Sequence, residues 1–346
     1  RELLPDTIQA EGTAAVDATV PMDAKQFEAR VDLAQASLRL GEYVSKAPGD
    51  SATADVLVAR VKDAWKPQTV TIHYGGEDIV ARFEDDRIVS DFDVEMASFQ
   101  NLFAENLRAA GTAQGSLKTN PLDVNVQLQD CALALSEQLR FEAINGRVAY
   151  ANEMPRVDQL AVRGLNSDFT LTMGETPQGV WQGSIAGNQF DVDAVTAAVE
   201  GFTGKDEAAG ESPDASAKKP PPPVDLDVRL AKVLYRNAEV PDVRAKVSGR
   251  EGNYDITDLF MAPAGGTVNG TAQVRLATEP APSTIVLDLS LQDVDLSAVD
   301  AVAFPEPRGL KGRTSGTVKV SAPFGGGVNP TNGATGEIQF TSRDGT

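Results

Sequence analysis

PLDVNVQL at Pro121–Leu128 and PVDLDVRL at Pro223–Leu230 decide the fold. In each, apolar and polar residues alternate: Leu122, Val124, Val126 and Leu128 against Asp123, Asn125 and Gln127, then Val224, Leu226, Val228 and Leu230 against Asp225, Asp227 and Arg229. A period of two is the mark of a half-buried strand. The two stretches also match each other, 102 positions apart, with identical Pro, Asp, Val and Leu. A strand and a repeat are therefore legible together.

Working outward, the same alternation recurs. Phe27, Ala29, Val31 and Leu33 form one row, Phe92, Val94 and Met96 another, and Leu287, Leu289 and Leu291 a third. Gly, Pro and Asn clusters separate such rows, as in antiparallel meanders. The 102-residue offset persists downstream: Asp191-Val192-Asp193 matches Asp293-Val294-Asp295, Phe202 matches Phe304, and Gly164 matches Gly266. A fainter copy is marked by Phe103, and by Gly111, Gly115 and Lys118, which recur as Gly312, Gly316 and Lys319. The unit is thus roughly 100 residues long, present about three times, with the first copy most diverged. The expected division is a diverged β repeat over 1–120, a second repeat over 121–203, a Pro/Ala-rich linker over 204–223 and a third repeat over 224–346. Helical spacing is confined to short pieces: Phe99, Leu102, Phe103 and Leu107; Ala54, Leu57, Val58 and Val61; and Asp193–Phe202 and Asp295–Phe304, each opened by an aspartate able to cap free amides. The expected fold is mainly β, with repeated antiparallel strands in an elongated sheet.

Length and composition bound the function. The chain has 346 residues, 41% hydrophobic and 23% charged, the balance of a folded protein. Its 31 basic and 50 acidic residues leave a formal charge of −19, which argues against nucleic acid and against docking on anionic headgroups. No apolar run is long enough to span a bilayer as a helix. The opening at Arg1 and the strand pattern still running near Thr346 read as a piece of something longer, with any membrane anchor outside it.

At Val224–Thr346 the sequence resembles the C-terminal region of the AsmA-like family of bacterial envelope proteins. The carriers are VDLDVRLAKVLYRNAEVPDVRAKVSGREGNYDITDLFMAPAGGTVNGTAQVRL (Val224–Leu276), LDLSLQDVDLSAVDAV (Leu287–Val302), GLKGRTSGTVKV (Gly309–Val320) and GATGEIQFTSRDG (Gly333–Gly345). A strand ends in an aromatic (Tyr235), a hairpin follows, then a Gly-rich strand and a helix start; a Pro/Ala-rich insert precedes the region. The resemblance implies a curled sheet forming a β-taco-like trough. It also implies a Gram-negative periplasmic location, a parent anchored in the inner membrane, and a part in phospholipid transport and outer-membrane assembly. Phospholipid is then the expected partner. Its acyl chains would lie against Phe92, Val94, Leu122, Val124, Val126, Leu128, Val224, Leu226, Val228, Leu230, Leu287, Leu289 and Leu291, because each buried CH₂ gains about 0.8 kcal/mol. The alternatives are a non-lipid scaffold of the envelope, for example secretion-system related, and more remotely a β-repeat carbohydrate-active enzyme.

The residues give little support to an enzyme. His73, the sole histidine, lies in a strand-like run and reads as structural or surface-exposed rather than as a base. Cys131, the sole cysteine, falls in phase with Leu133 and Leu135 and reads as a buried thiol. The pairs Asp191/Asp193 and Asp293/Asp295 recur at helix starts and read as caps rather than calcium ligands or a glycosidase dyad. Gly325-Gly326-Gly327 reads as a loop, and Asn269-Gly270-Thr271 as a weak sequon. No metal or cofactor is expected.

Overall fold

The computed structural model describes residues 8–22, 24–40, 44–62, 64–84, 87–103, 107–134, 139–203, 222–236, 238–276, 282–297, 309, 311–324 and 333–343. Among the described residues it is mainly β, 75% strand with two short helices, and holds a large mixed sheet of nineteen strands that does not close into a barrel. The chain divides into two compact units, residues 1–162 and 163–346.

In the first unit, β1 (Ile8–Gly12), β4 (Ala36–Leu40) and β5 (Val44–Lys46) form a separate three-stranded sheet. The rest is one antiparallel run. It starts with β2 (Ala15–Ala18), β3 (Gln26–Asp32), β6 (Ala52–Val61), β7 (Ala64–Tyr74) and β8 (Glu77–Glu84). It continues through β9 (Arg87–Glu95), β10 (Arg108–Lys118), β11 (Asp123–Ala134) and β12 (Arg140–Ala151). The unit boundary falls within β13 (Met154–Gly164).

Ala54, Leu57, Val58 and Val61 are not helical: all four lie in β6. Their spacing fits a helix, but Ala52, Ala54 and Val56 also hold a period of two, and they face Tyr74, Ile72 and Val70 of β7. A paired neighbour outweighs local propensity. Phe99 and Leu102 lie in a 3₁₀ helix, Met96–Leu102; Phe103 ends it and Leu107 lies outside it.

The second unit opens with β14 (Ser167–Glu175) and β15 (Trp181–Asp191), followed by helix α1 (Val192–Thr203). Then come β16 (Val224–Tyr235), β17 (Ala238–Arg250), β18 (Asn253–Met261) and β19 (Thr267–Arg275). β20 (Ser283–Asp295), β21 (Arg313–Phe324) and β22 (Thr335–Arg343) complete it. Neighbours from β16 to β22 pair antiparallel, but β15 and β16 run parallel, with Trp181 beside Val224 and Asp191 beside Leu234. The expected repeated antiparallel strands are thus joined by one parallel pair, and the sheet is mixed. A parallel partner needs a crossover of a dozen or more residues, and thirty-two residues, 192–223, separate β15 from β16 in sequence.

The expected helix at 193–202 is present as α1. Of the one expected at 295–304, Asp295 ends β20, residues 296 and 297 are helical and residues 298–304 lie outside the described residues, as do Gly325-Gly326-Gly327 and all of 204–223 except Pro222 and Pro223. The buried apolar set is dominated by small side chains, among them Ala52, Ala54, Ala109, Ala113, Ala245 and Ala272. Among the described residues Val294 is the one large side chain with no exposure.

Candidate apolar binding face

Residues directly opposite on paired strands point to the same side of a sheet, so the registers assign the faces. In the second unit one row runs Gly183, Leu226, Val247, Ile256, Ala272, Leu287 and Val320 from β15 to β21. The row beside it runs Ile185, Val228 and Ala245, and resumes after a bulge in β18 as Gly270, Leu289, Val318 and Ile338. Every member of both rows is apolar or glycine. The opposite face carries Asp225, Ser248 and Asp255 in one row and Thr271, Asp288, Lys319 and Glu337 in another.

The first unit is built alike. Phe92, Gly115, Val126 and Val148 line up across β9 to β12, beside Val94, Ala113, Leu128 and Gly146. The thirteen residues expected to contact lipid therefore sort cleanly. Phe92, Val94, Val124, Val126 and Leu128 share one face of the first unit. Val224, Leu226, Val228, Leu230, Leu287, Leu289 and Leu291 share one face of the second. Leu122 precedes β11 and is exposed. Val94 and Leu230 are already buried, at 7% and 6% exposure; the other ten are half-buried.

Glycines shape these faces in a way sequence alone did not show. Glycine in a strand often marks a close approach. A methyl group on Gly115 would sit 2.9 Å from Phe92 Cζ, and one on Gly249 would overlap the Tyr254 ring. Each aromatic thus lies down across a cross-strand glycine instead of standing off the sheet. The signal was available: each glycine occupies an apolar-phase position of its strand.

The polar faces hold charges in pairs. Lys246 lies 2.7 Å from Asp258, Arg250 2.8 Å from Asp225, and Lys319 3.2 Å from Asp288. The Arg250 hydrogen bond holds the Asp225 carboxyl below the usual carboxylate range. In the first unit His73 Nδ1 is 2.6 Å from Asp78 and Nε2 is 3.0 Å from Asp55, tying β7 to both neighbours. Asp78, and then Asp55, push the His73 pKa up. Register alone brings these three together. A cleft of about 740 Å³ on the same unit is lined by Asp78, Asp91, Asp93, Gln114, Asn125 and Arg147 among others. Its carboxylates are engaged: Asp78 by His73, Asp91 by Arg82, and Asp93 by Gln114 Nε2 at 3.5 Å.

Cys131 is buried and its thiol contacts the Thr112 carbonyl at 3.1 Å; burial pushes its pKa up. Capping falls to Asp191, whose Oδ1 accepts from Ala194 N at 2.9 Å, whereas Asp193 accepts from Arg236 N. In the second copy Asp295 Oδ1 accepts from Ser297 N and Oγ, at 2.8 and 2.7 Å, and Asp293 pairs with Arg313. Among the described residues no group of three or more His, Cys, Asp or Glu side chains could hold a metal ion, and no helix is long and apolar enough to cross a membrane.

Compared with known proteins, the chain matches no protein-family model, no curated protein and no solved structure.

Proposed function

We propose that the chain is the periplasmic part of an AsmA-like envelope protein, and that its apolar sheet faces take phospholipid acyl chains in support of lipid transport and outer-membrane assembly. One observation carries this reading. In each unit the registers gather the apolar rows of successive strands on one side, where the larger side chains such as Val126, Leu226, Val228, Leu287 and Leu289 stay half-buried beside buried Val94, Ala113, Leu230, Ala245 and Ala272. A contiguous apolar surface well beyond a few hundred Å² is a binding surface on a folded protein. Acyl chains suit it because they need no polar partner, while headgroups can stay in water at the strand ends. The trough shape and the Gram-negative periplasm follow from the family resemblance.

The rings of Phe92 and Tyr254, lying across Gly115 and Gly249, favour a second reading. Side chains that lie down on their own sheet fill space, as a non-lipid scaffold of the envelope requires.

Native mass spectrometry with lipid extraction, on protein purified without detergent, separates the two. Roughly stoichiometric phospholipid is expected on the wild type. Leu226→Asp, at a half-buried position, is expected to lose it while far-UV circular dichroism stays β. Leu230→Asp, at a buried position, is expected to unfold the chain. A lipid-free wild type, or outright unfolding of Leu226→Asp, removes the lipid reading in favour of the scaffold.

A further inference from the structure

One corner of the first unit departs from the chain's acidic character. The loop from β2 to β3 and the hairpin from β6 to β7 adjoin there: Gln26 pairs with Ala59, and Arg60 N donates to the Lys25 carbonyl at 2.8 Å. At these tips Val20, Met22, Val61 and Trp65 are 49%, 107%, 37% and 43% exposed. Trp65 is not a stray side chain. Its ring meets that of Phe27 edge-on at 5.0 Å, and Phe27 stands opposite Val58, so the tip cluster continues into the sheet.

Charge gathers at the same place. Lys25, Arg60, Lys62 and Lys66 are exposed around the apolar tips. Over 20–25 and 60–66 the sequence holds those four bases against two acids, Asp23 and Asp63, the reverse of the balance that gives the chain its −19. A charged surface is felt within about 8–10 Å at ordinary salt, so the local bases, not the distant acids, set the potential here. Tryptophan is favoured at the headgroup level, and lysines extend past an inserted apolar tip toward phosphates.

We propose that this corner docks on an anionic phospholipid bilayer, with Met22 and Trp65 entering the headgroup region and Lys25, Lys62 and Lys66 engaging phosphates. The docking goes beyond the acyl-chain reading and stands apart from it. A bilayer fits the tips better than an acidic protein partner, because the apolar side chains sit on two separate loop tips and present no groove.

The test uses the whole chain with vesicles of phosphatidylcholine alone and of phosphatidylcholine with phosphatidylglycerol in equal parts. Wild type is expected to sediment with the anionic vesicles at low salt, to be released by salt, and to ignore the neutral ones. In a Trp181→Phe background the emission of Trp65 is expected to shift to shorter wavelength on binding. Lys25→Gln/Lys62→Gln/Lys66→Gln should lower partitioning on the order of a hundredfold at low salt, since a base near an anionic surface is worth about 1 kcal/mol. Met22→Ser/Trp65→Ser should lower it several-fold with thermal melting unchanged. Binding equal on both vesicle types, no binding to either, or variants that bind as wild type does would overturn the proposal. Phospholipid extracted from the purified protein reports separately on the sheet face, so loss of one result leaves the other standing.

Discussion

Two joins in the second unit start from the same tripeptide and end differently. Asp191-Val192-Asp193 spans the end of β15 and the start of α1 and is followed by a parallel β16, whereas Asp293-Val294-Asp295 closes β20 and is followed by an antiparallel β21. The first connection runs from Val192 to Pro223, the second only from Leu296 to Gly312. β15 has eleven residues, a length of about 36 Å at roughly 3.3 Å per residue. A parallel successor must begin again at the far end of that length, whereas an antiparallel one begins beside the end of the strand before it. Yet the apolar rows pass through both joins in phase: Ile185 meets Val228 at the first, and Leu289 meets Val318 at the second. Strand direction differs between the two joins, and residue parity keeps the face in both. The face is the invariant, as it must be if it is what the molecule uses.

The valines of the two tripeptides feel this difference most. Val294 has no exposure: it stands opposite Thr314 of β21, and its Cα would lie 2.6 Å from a methyl group on Gly266. Val192 begins α1 and is half-buried. Val294→Asp places an unpaired charge in the tightest spot of the unit and should cost about 3–5 kcal/mol. Val192→Asp puts an acid at a helix N-terminus, where the dipole favours it, so the loss should be only about 1 kcal/mol. Urea unfolding of the two variants checks this. Equal losses would mean that the joins are packed alike despite their different strand directions.

Gly266 gives a smaller, sharper probe of the antiparallel join. Its φ of −106° suits any residue, so Gly266→Ala is a purely steric change. The added methyl would press on the backbone of Asp293 and Val294, and overpacking of this kind costs about 1–3 kcal/mol. A neutral result in the same urea experiment would show that the join yields.

How much of this was legible follows from what each feature depends on. Alternation at Leu226, Val228 and Leu230, or at Phe92 and Val94, is local, and it revealed the strands and their faces. α1 was legible from apolar spacing, though the cap fell to Asp191 because the helix begins at Val192. The direction of β16 was not, because it depends on the path of a connection rather than on any residue in the strand. Ala54, Leu57, Val58 and Val61 misled because their spacing fits a helix while Ala52, Ala54 and Val56 keep an extended period through the same stretch; Tyr74 and Ile72 across the ladder decided it. The basic corner at Lys25, Lys62 and Lys66 was hidden by a net charge of −19, which averages over the chain what a partner meets locally. The Asp55–His73–Asp78 contact was out of reach, since register on three strands creates it.

That contact and its counterpart in the second unit extend the comparison to pH, where the expected effect is smallest. Both clamps lie on polar faces and are largely solvated: the His73 side chain is 34% exposed, and those of Arg250 and Asp225 are 49% and 35% exposed. Screening keeps such contributions small, but their signs are opposite. The His73 pKa is raised by Asp78 and Asp55. Its stabilisation is therefore fully present below the unfolded value of 6.5 and is lost as pH rises through the higher folded value. The Asp225 pKa is lowered by Arg250. That stabilisation is present above the unfolded value of 3.8 and is lost as pH falls through the lower folded value. Arg30, 3.9 Å from Asp55, is the further charge facing the first clamp; it competes for that carboxylate and leaves Asp78 as the stronger anchor. His73→Gln is expected to flatten the stability profile only above about pH 6, and Asp225→Asn only in the acid limb. Melting temperatures across that range read both, and a His73→Gln profile parallel to wild type through neutral pH would show that water, not the carboxylates, sets the charge on that ring.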